Sequence, residues 1–255
     1  KDTKVLYGLL LKLLYQKMET TPDSTLAIEL EQYPIPPVDQ ISIESMSDSM
    51  GTTQMHFFFD DEDGLTSFST FIASFKAAGY TVQEFEHYVV IKNKGKYTTI
   101  IYANKPLSER EGQAILTQMV QDNIIHPTVI VHRGHSYYAM NTISQIPNYA
   151  KVVFLGSCGA YHNISEVIKR APQAQIIASK QIGTYVVNNT LLVEMSKLLK
   201  DQDQLIWATL WTSLDSKLKG SGKGYERFLD YVPPHKNLGA IFIQAYNKIT
   251  REDFN

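Results

Sequence analysis

The chain of 255 residues has a single cysteine, Cys158, so it cannot form an internal disulfide and depends on its core for stability. Its formal net charge is only -2, which gives no electrostatic reason to expect binding to nucleic acid or an anionic membrane. The most apolar stretch near the start, residues 5–15, is short and interrupted by Lys12. These absences favour a globular protein with neither a membrane span nor a nucleic-acid partner.

Cofactor and metal motifs are also missing. Neither GxGxxG nor GxxxxGK[ST] occurs, and His56, His87 and His126 lack the spacing of zinc ligands. The acidic run at residues 60–63 has oxygen ligands suited to Ca²⁺ or Mg²⁺, but such runs more often cap the helix that comes next. We favour the capping interpretation and predict no cofactor and no metal.

Composition divides the chain near residue 52. An amphipathic helix is predicted at 4–19, and the segment after it, up to residue 53, is rich in Pro, Ser and Asp and poor in core pattern. We therefore predict an N-terminal helix with an extended linker or strap over 1–52 and an α/β domain over 53–255. Because the sequence begins with Lys1 rather than methionine, we expect a processed form or a piece of a longer protein with further domains.

From residue 54 onward, buried strands alternate with amphipathic helices, which is typical of a three-layer α/β/α sandwich with a mostly parallel sheet. The predicted strands are 55–61, 80–93, 96–104, 128–132, 151–155 and 174–179. The predicted helices are 64–78, 108–122, 138–146, 164–170, 188–200 and 204–219. Residues 220–235 are predicted to form a loop, and 238–246 a final strand or helix.

Ligands bind beyond the carboxyl ends of the strands in such sheets. This rule selects the loops after the strands at 128–132, 151–155 and 174–179, and the first two of these loops contain histidines and Cys158. A cysteine nucleophile needs a base to take its proton, and a histidine on the adjacent parallel strand is suited to that role. The pattern therefore predicts a His/Cys dyad that attacks a carbonyl and forms a thioester.

Two short blocks resemble those of a known family. The segments VIVHRGHS at 129–136 and VVFLGSCGAY at 152–161 are similar, in this order, to the histidine and cysteine blocks of the caspase-like cysteine peptidases. That group includes caspases, legumain, gingipains, clostripain and separase, and residues 174–199 resemble the segment after the cysteine block in its bacterial members. The resemblance implies a caspase-like fold, a bacterial cysteine endopeptidase (a thiol protease), and peptide or protein substrates.

The resemblance also implies roles for individual residues. Cys158 corresponds to the nucleophile. Gly134-His135 resembles the Gly-His of the family block, so His135 is the expected acid/base, with His132 as the alternative. Gly134 and Gly159 would provide or permit oxyanion contacts.

The loop after the strand at 174–179 would shape the pocket for the substrate side chain. Its candidate residues are Ser179, Lys180, Gln181 and Thr184. A lysine inside a pocket would favour an acidic side chain, but loop lysines usually face solvent, and we favour that second interpretation for Lys180.

Two other functions remain open at this point. Ser136 stands where the family has glycine after the histidine, which leaves room for an inactive caspase-like scaffold that binds another protein. Residues 156–160 are also one position away from a G-x-C-x-G nucleophile elbow, for which Asp230 and His235 would complete an α/β-hydrolase triad. These two lie closer together than is usual for that fold, so this alternative ranks lower.

Overall fold

The computed structural model describes residues 2–16, 24–31, 33, 35–93 and 95–252. Its helices are α1 (Asp2–Gln16), α2 (Ser24–Glu31), α3 (Gly64–Ala77), α4 (Glu109–Gln121), α5 (Ala139–Ser144), α6 (Ile164–Arg170), α7 (Tyr185–Asp201), α8 (Trp207–Leu218), α9 (Lys223–Phe228) and α10 (Leu238–Glu252). Its strands are β1 (Gln40–Ser42), β2 (Ser47–Asp48), β3 (Gly51–Phe58), β4 (Thr81–Glu84), β5 (Tyr88–Lys92), β6 (Thr99–Asn104), β7 (Val129–Arg133), β8 (Val152–Leu155), β9 (Gln175–Ser179), β10 (Gln204–Ile206) and β11 (Tyr231–Val232). None of the helices within these ranges is long and apolar enough to cross a membrane.

The central sheet has the spatial order β11-β9-β8-β7-β3-β6-β5-β4. The pairs from β6 through β3, β7 and β8 to β9 are parallel. Both edges are antiparallel, with β11 against β9 on one side and β5 and β4 on the other. The inner strands are continuous apolar runs because both faces of a parallel sheet are covered by helices.

The helices cover both faces of this sheet. On one face α3, α7 and α8 bring together a core that includes Phe71, Leu191 and Trp207. On the other face α4, α5 and α6 contribute Leu116, Ile143, and Val167. The predicted three-layer α/β/α sandwich with a mostly parallel sheet is thus confirmed.

The N-terminal strap packs into the same core. Ile43 and Met46 are fully buried against the face of the sheet covered by α3, α7 and α8. The backbone of Ile43 donates to the carbonyl of Asp203 at 3.0 Å, β1 pairs with β10, and β2 pairs with β3 across the predicted boundary at residue 52. Helix α1 packs on α10 through a small cluster that includes Leu6, Leu10 and Ile241.

Several elements differ from the sequence predictions. The region 220–235, predicted to be a loop, contains α9 and the edge strand β11, and the segment predicted as a final strand or helix is the helix α10. The predicted helix at 204–219 begins with the short strand β10, and the predicted strand at 80–93 consists of the two strands β4 and β5. The first helix ends at Gln16, and the last three residues of the predicted helix at 4–19 lie outside the described residues.

The buried position of Ile43 gives a test of the strap. Ile43→Ala should lower the free energy of unfolding by about 2–5 kcal/mol, because it removes buried methyl groups and leaves a cavity. Ile124→Ala is the matched control, since Ile124 is 57% exposed and the same change there should cost less than about 1 kcal/mol. Urea unfolding measures both, and equal costs would show that the strap does not contribute to the core.

Candidate active site

A cleft of about 250 Å³ opens at the edge of the sheet where β3, β7 and β8 end. These strands are adjacent and parallel, so the loops that extend from them meet at this one edge. Asp61 follows β3, His135 follows β7 and Cys158 follows β8, and all three residues line the cleft. The segment from Ile182 to Tyr185 forms another wall.

The loop after β8 holds the cysteine in a tight turn. Gly159 has a φ of 59°, in the left-handed region that glycine adopts without steric cost, and a short 3₁₀ helix begins directly after it. Cys158 is a half-buried free thiol, with Sγ 3.9 Å from the carbonyl oxygen of Gly183. The sulfur is therefore at the cleft surface rather than enclosed by core side chains.

Glycine backbones pack closely around this turn. A Cβ added to Gly183 would lie 2.7 Å from the carbonyl oxygen of Gly156 and 2.8 Å from the carbonyl carbon of Ser157. A Cβ on Gly156 would lie 2.8 Å from the side-chain nitrogen of Asn188. The cleft wall thus lies directly against the backbone that precedes the cysteine, and no side chain fits between them.

His135 occupies the loop after β7. Its backbone N–H donates to Oδ2 of Asp61 at 3.0 Å, and its ring stacks on Tyr137 with centroids 5.3 Å apart. The preceding Gly134 packs on the ring of Phe59, which a Cβ at that position would approach to 2.7 Å. Asp61 and Phe59 therefore fix the backbone that presents the His135 ring to the cleft.

His132 lies on the opposite face of β7 from Arg133 and does not line the cleft. Its Nε2 is 3.2 Å from the carbonyl oxygen of His135, and its Nδ1 is 2.8 Å from the hydroxyl of Thr142 on α5. A carbonyl only accepts, so Nε2 carries the proton and Nδ1 accepts from Thr142. Burial lowers the pKa of His132 to about 4. These contacts hold His132 in its neutral form against the His135 loop, away from the cleft, whereas the sequence left it open as an alternative base.

The two glycines predicted near the oxyanion differ in position. Gly134 lines the cleft. The N–H of Gly159 donates to the carbonyl of Gln181 at 2.6 Å and is therefore already engaged.

Of the four predicted substrate-binding residues, one lines the cleft and three do not. Thr184 lines the cleft, whereas Ser179 is fully buried at the end of β9 with Oγ accepting from the N–H of Gln181 at 3.2 Å. Gln181 is exposed and acts on the cysteine loop through its carbonyl. Lys180 is exposed, with its ammonium 5.6 Å from the ring centre of Tyr161, which agrees with the solvent-facing interpretation.

A buried hydrogen-bond chain joins the cleft wall to the cysteine loop. The N–H of Thr184 donates to the hydroxyl of Tyr231 at 3.0 Å, which donates to Oδ1 of Asn188 at 2.7 Å. Nδ2 of Asn188 then donates to the carbonyl of Gly156 at 2.8 Å. Burial raises the pKa of Tyr231 well above its ordinary value, so the phenol remains a neutral donor. The sequence prediction missed this chain because Tyr231 was assigned to a loop.

A buried arginine was missed as well. Arg133, the last residue of β7, is 2% exposed and forms part of the cleft wall. Its Nη2 donates to Oγ of Ser67 at 2.8 Å and to Oδ1 of Asn189 at 2.7 Å, while Phe58 and Phe71 lie against the guanidinium. Burial lowers its pKa to about 9, so it is still protonated at neutral pH.

The alternative sites receive no support from these positions. Among the described residues, no group of three or more His, Cys, Asp or Glu side chains is placed to hold a metal ion. Of the acidic run at residues 60–63, Asp63 is the N-cap residue of α3 but makes no side-chain capping hydrogen bond, and Asp61 holds the His135 backbone. His235, required by the α/β-hydrolase alternative, lies in a separate groove with Trp211 and Phe228.

Tyr231 provides one test of the site. Tyr231→Phe should lower the free energy of unfolding by about 1–3 kcal/mol, because Thr184 N–H and Asn188 Oδ1 would each lose a buried partner. Tyr246→Phe removes the same hydroxyl from a residue that is 40% exposed and should have little effect. Thermal or urea unfolding measures the difference. Equal stability of the two variants would contradict the hydrogen-bond chain.

The buried state of His132 predicts a pH dependence of stability. Its pKa is about 4 when folded, below its ordinary 6.5, so the unfolded chain binds more protons between these pH values. The free energy of unfolding should therefore fall by up to about 3 kcal/mol as the pH drops through this window. Urea unfolding at several pH values should show a flatter dependence for His132→Asn. The exposed His162→Asn is the control, and an unchanged slope in His132→Asn would contradict the assignment.

The chain shows little similarity to known proteins in these comparisons. No protein-family model and no curated protein matches the chain. A solved structure described as the "X-ray Structure of an Inactive Zymogen C11 Protease from Parabacteroides distasonis" is similar, with 14% sequence identity and a TM-score of 0.40. The similarity covers 65% of this chain and 58% of that chain, so the match spans less than two thirds of the length of that protease.

Proposed function

We propose that the protein is a cysteine endopeptidase that cleaves peptide bonds with a dyad of His135 and Cys158. The observation that carries this proposal is that both residues line one cleft, where adjacent parallel strands deliver them. The order of the two strands also agrees with the resemblance to the caspase-like peptidases.

In the proposed reaction, His135 takes the proton of Cys158, and the thiolate attacks the carbonyl carbon of the substrate. His135 then gives its proton to the leaving amine, which departs as the C–N bond breaks and a thioester remains. Water hydrolyses the thioester and restores the thiol. The backbone at Gly134 is the proposed oxyanion contact, because the N–H of Gly159 is bonded to Gln181.

The surroundings of the dyad suit this chemistry. The N-terminus of α7 lies at the cleft through Thr184 and Tyr185, and the positive end of a helix favours the thiolate. The bond from His135 N–H to Asp61 keeps the loop in place while the ring exchanges protons. Asp61 and His132 are positioning residues in this proposal, since each acts on the backbone of His135.

The single cysteine makes the test direct, because Cys158 is the one thiol of this sequence that iodoacetamide can alkylate. The native protein should react stoichiometrically with iodoacetamide at neutral pH, and His135→Ala should slow this reaction by about 10-fold or more as the thiolate is lost. Mass spectrometry of the intact protein gives the rate.

The matched control is His162→Ala, which removes an exposed histidine that does not line the cleft. Its alkylation rate should equal that of the wild type. In parallel, digestion of a mixed peptide library should give cleavage products with the wild type and none with Cys158→Ala. Labelling that requires denaturation, or that is unaffected by His135→Ala, would contradict the dyad and favour a non-catalytic scaffold.

A further inference from the structure

Arg133 is a buried cation without a counter-charge. Among the described residues, no carboxylate oxygen lies within 4.0 Å of its guanidinium, and its Nε and Nη1 have no hydrogen-bond partner. Its bonds to Ser67 and Asn189 go to neutral groups. Burying an ion in this way is costly, and the rings of Phe58 and Phe71 offset only part of that cost. An anion that entered the cleft would supply the missing partner.

The cleft presents a second buried donor. Ser157, which precedes the cysteine, is 2% exposed and lines the cleft, and its Oγ also lacks a hydrogen-bond partner among the described residues. The positive end of the 17-residue helix α7 opens onto the same space. An arginine donates and never accepts, so its natural complement is a group that only accepts, such as a carboxylate.

The size of the cleft limits the ligand. At about 250 Å³ it is smaller than the usual range for a drug-sized molecule, and it is better matched to one side chain of a bound peptide. The side chain that reaches Arg133 also lies beside Cys158, because both residues line the same walls. It therefore belongs to the residue at or next to the scissile bond.

Two carboxylates argue for the opposite charge preference. Asp61 and Asp63 also line the cleft and would attract a basic side chain. Asp63 is exposed, so water screens its charge, and Asp61 is engaged with the N–H of His135. A basic side chain in the cleft would face the buried Arg133, where charge repulsion is screened much less. The buried cation should therefore dominate.

We infer that the cleft binds the acidic side chain, Asp or Glu, of a peptide substrate through the guanidinium of Arg133, with the Ser157 hydroxyl as a second donor. That the bound peptide is a substrate rests on the proposed peptidase function. The binding itself depends only on Arg133 and the cleft, so it is measurable without catalysis.

The primary test uses peptidyl acyloxymethyl ketones that differ only in the residue next to the reactive group, namely Asp, Glu, Asn, Gln, Ala or Arg. The better of the Asp and Glu probes should alkylate Cys158 at least about 100-fold faster than its amide counterpart, because only the carboxylate pairs with the buried cation. This comparison needs no variant, so it does not depend on the folding of a mutant.

The second arm changes the cation. Arg133→Met removes the charge while keeping an unbranched apolar chain, and Arg133→Lys removes the planar fork while keeping the charge. The rate ratio of acidic to amide probe should collapse toward one in Arg133→Met and fall strongly in Arg133→Lys. Arg170→Met is the matched control, since it removes an exposed arginine outside the cleft and should leave the ratio unchanged.

The third arm separates this inference from the proposed function. In Cys158→Ala, peptides ending in the preferred acid or in its amide are compared by calorimetry, with the terminal carboxyl blocked in both. The acidic peptide should bind at least about 10-fold more tightly. If no probe labels Cys158 but this preference is present, the peptidase proposal fails and the acidic site stands. If the Arg probe labels fastest, or amide and acid react equally, the acidic site is overturned and the peptidase remains.

Discussion

The parallel pairing of β3, β7 and β8 is the constraint on which the rest of the site depends. Parallel neighbours end at the same edge of a sheet, so three residues distant in sequence, Asp61, His135 and Cys158, meet there. Each then needs only a short loop to reach the cleft. Because the strands are buried between two helical layers, apart from the first residue of β3, the edge from which these loops start is rigid.

Close backbone contacts turn that common edge into a defined site. Gly156 and Gly183 let the cleft wall lie against the turn that holds the cysteine, while Gly134 lets the histidine loop lie on Phe59. The carbonyl of Gly156 and the N–H of Thr184 are paired through Asn188 and Tyr231, so the short β11 at the sheet edge takes part in shaping the cleft. The same side of the sheet also contains Arg133. Its hydrogen bonds go to the neutral groups of Ser67 and Asn189, so its charge has no ion-pair partner among the described residues.

Much of the fold could be predicted because buried parallel strands are continuous apolar runs and the helices between them have a clear period. Strand β11 could not be predicted, because it has only two residues, next to Pro233 and Pro234, and so shows no periodicity. It is a strand because it pairs with β9. The loops that carry the histidines and Cys158 were predicted to form the site by the rule that ligands bind beyond the carboxyl ends of parallel strands. Applied to the strand at 55–61 as well, the same rule would have selected Asp61.

The surroundings of individual side chains were harder to predict. Alternation along a strand places His132 and Arg133 on opposite faces, but only the packed structure shows that α5 covers one and the cleft reaches the other. Lys180 illustrates the converse case. Its place after a strand allowed a pocket residue, but loop lysines usually face solvent, and its exposed position over Tyr161 agrees with that favoured interpretation.

The presence of one cysteine has a consequence for oxidation. If Cys158 is activated as proposed, it is also the thiol that peroxides attack first, giving a sulfenic acid. Many such sites contain a second cysteine that captures this product as a disulfide, but this sequence of 255 residues offers none. Recovery of Cys158 through a disulfide would therefore need a thiol from outside these 255 residues, and without one the sulfur would proceed to the irreversible sulfinic and sulfonic acids.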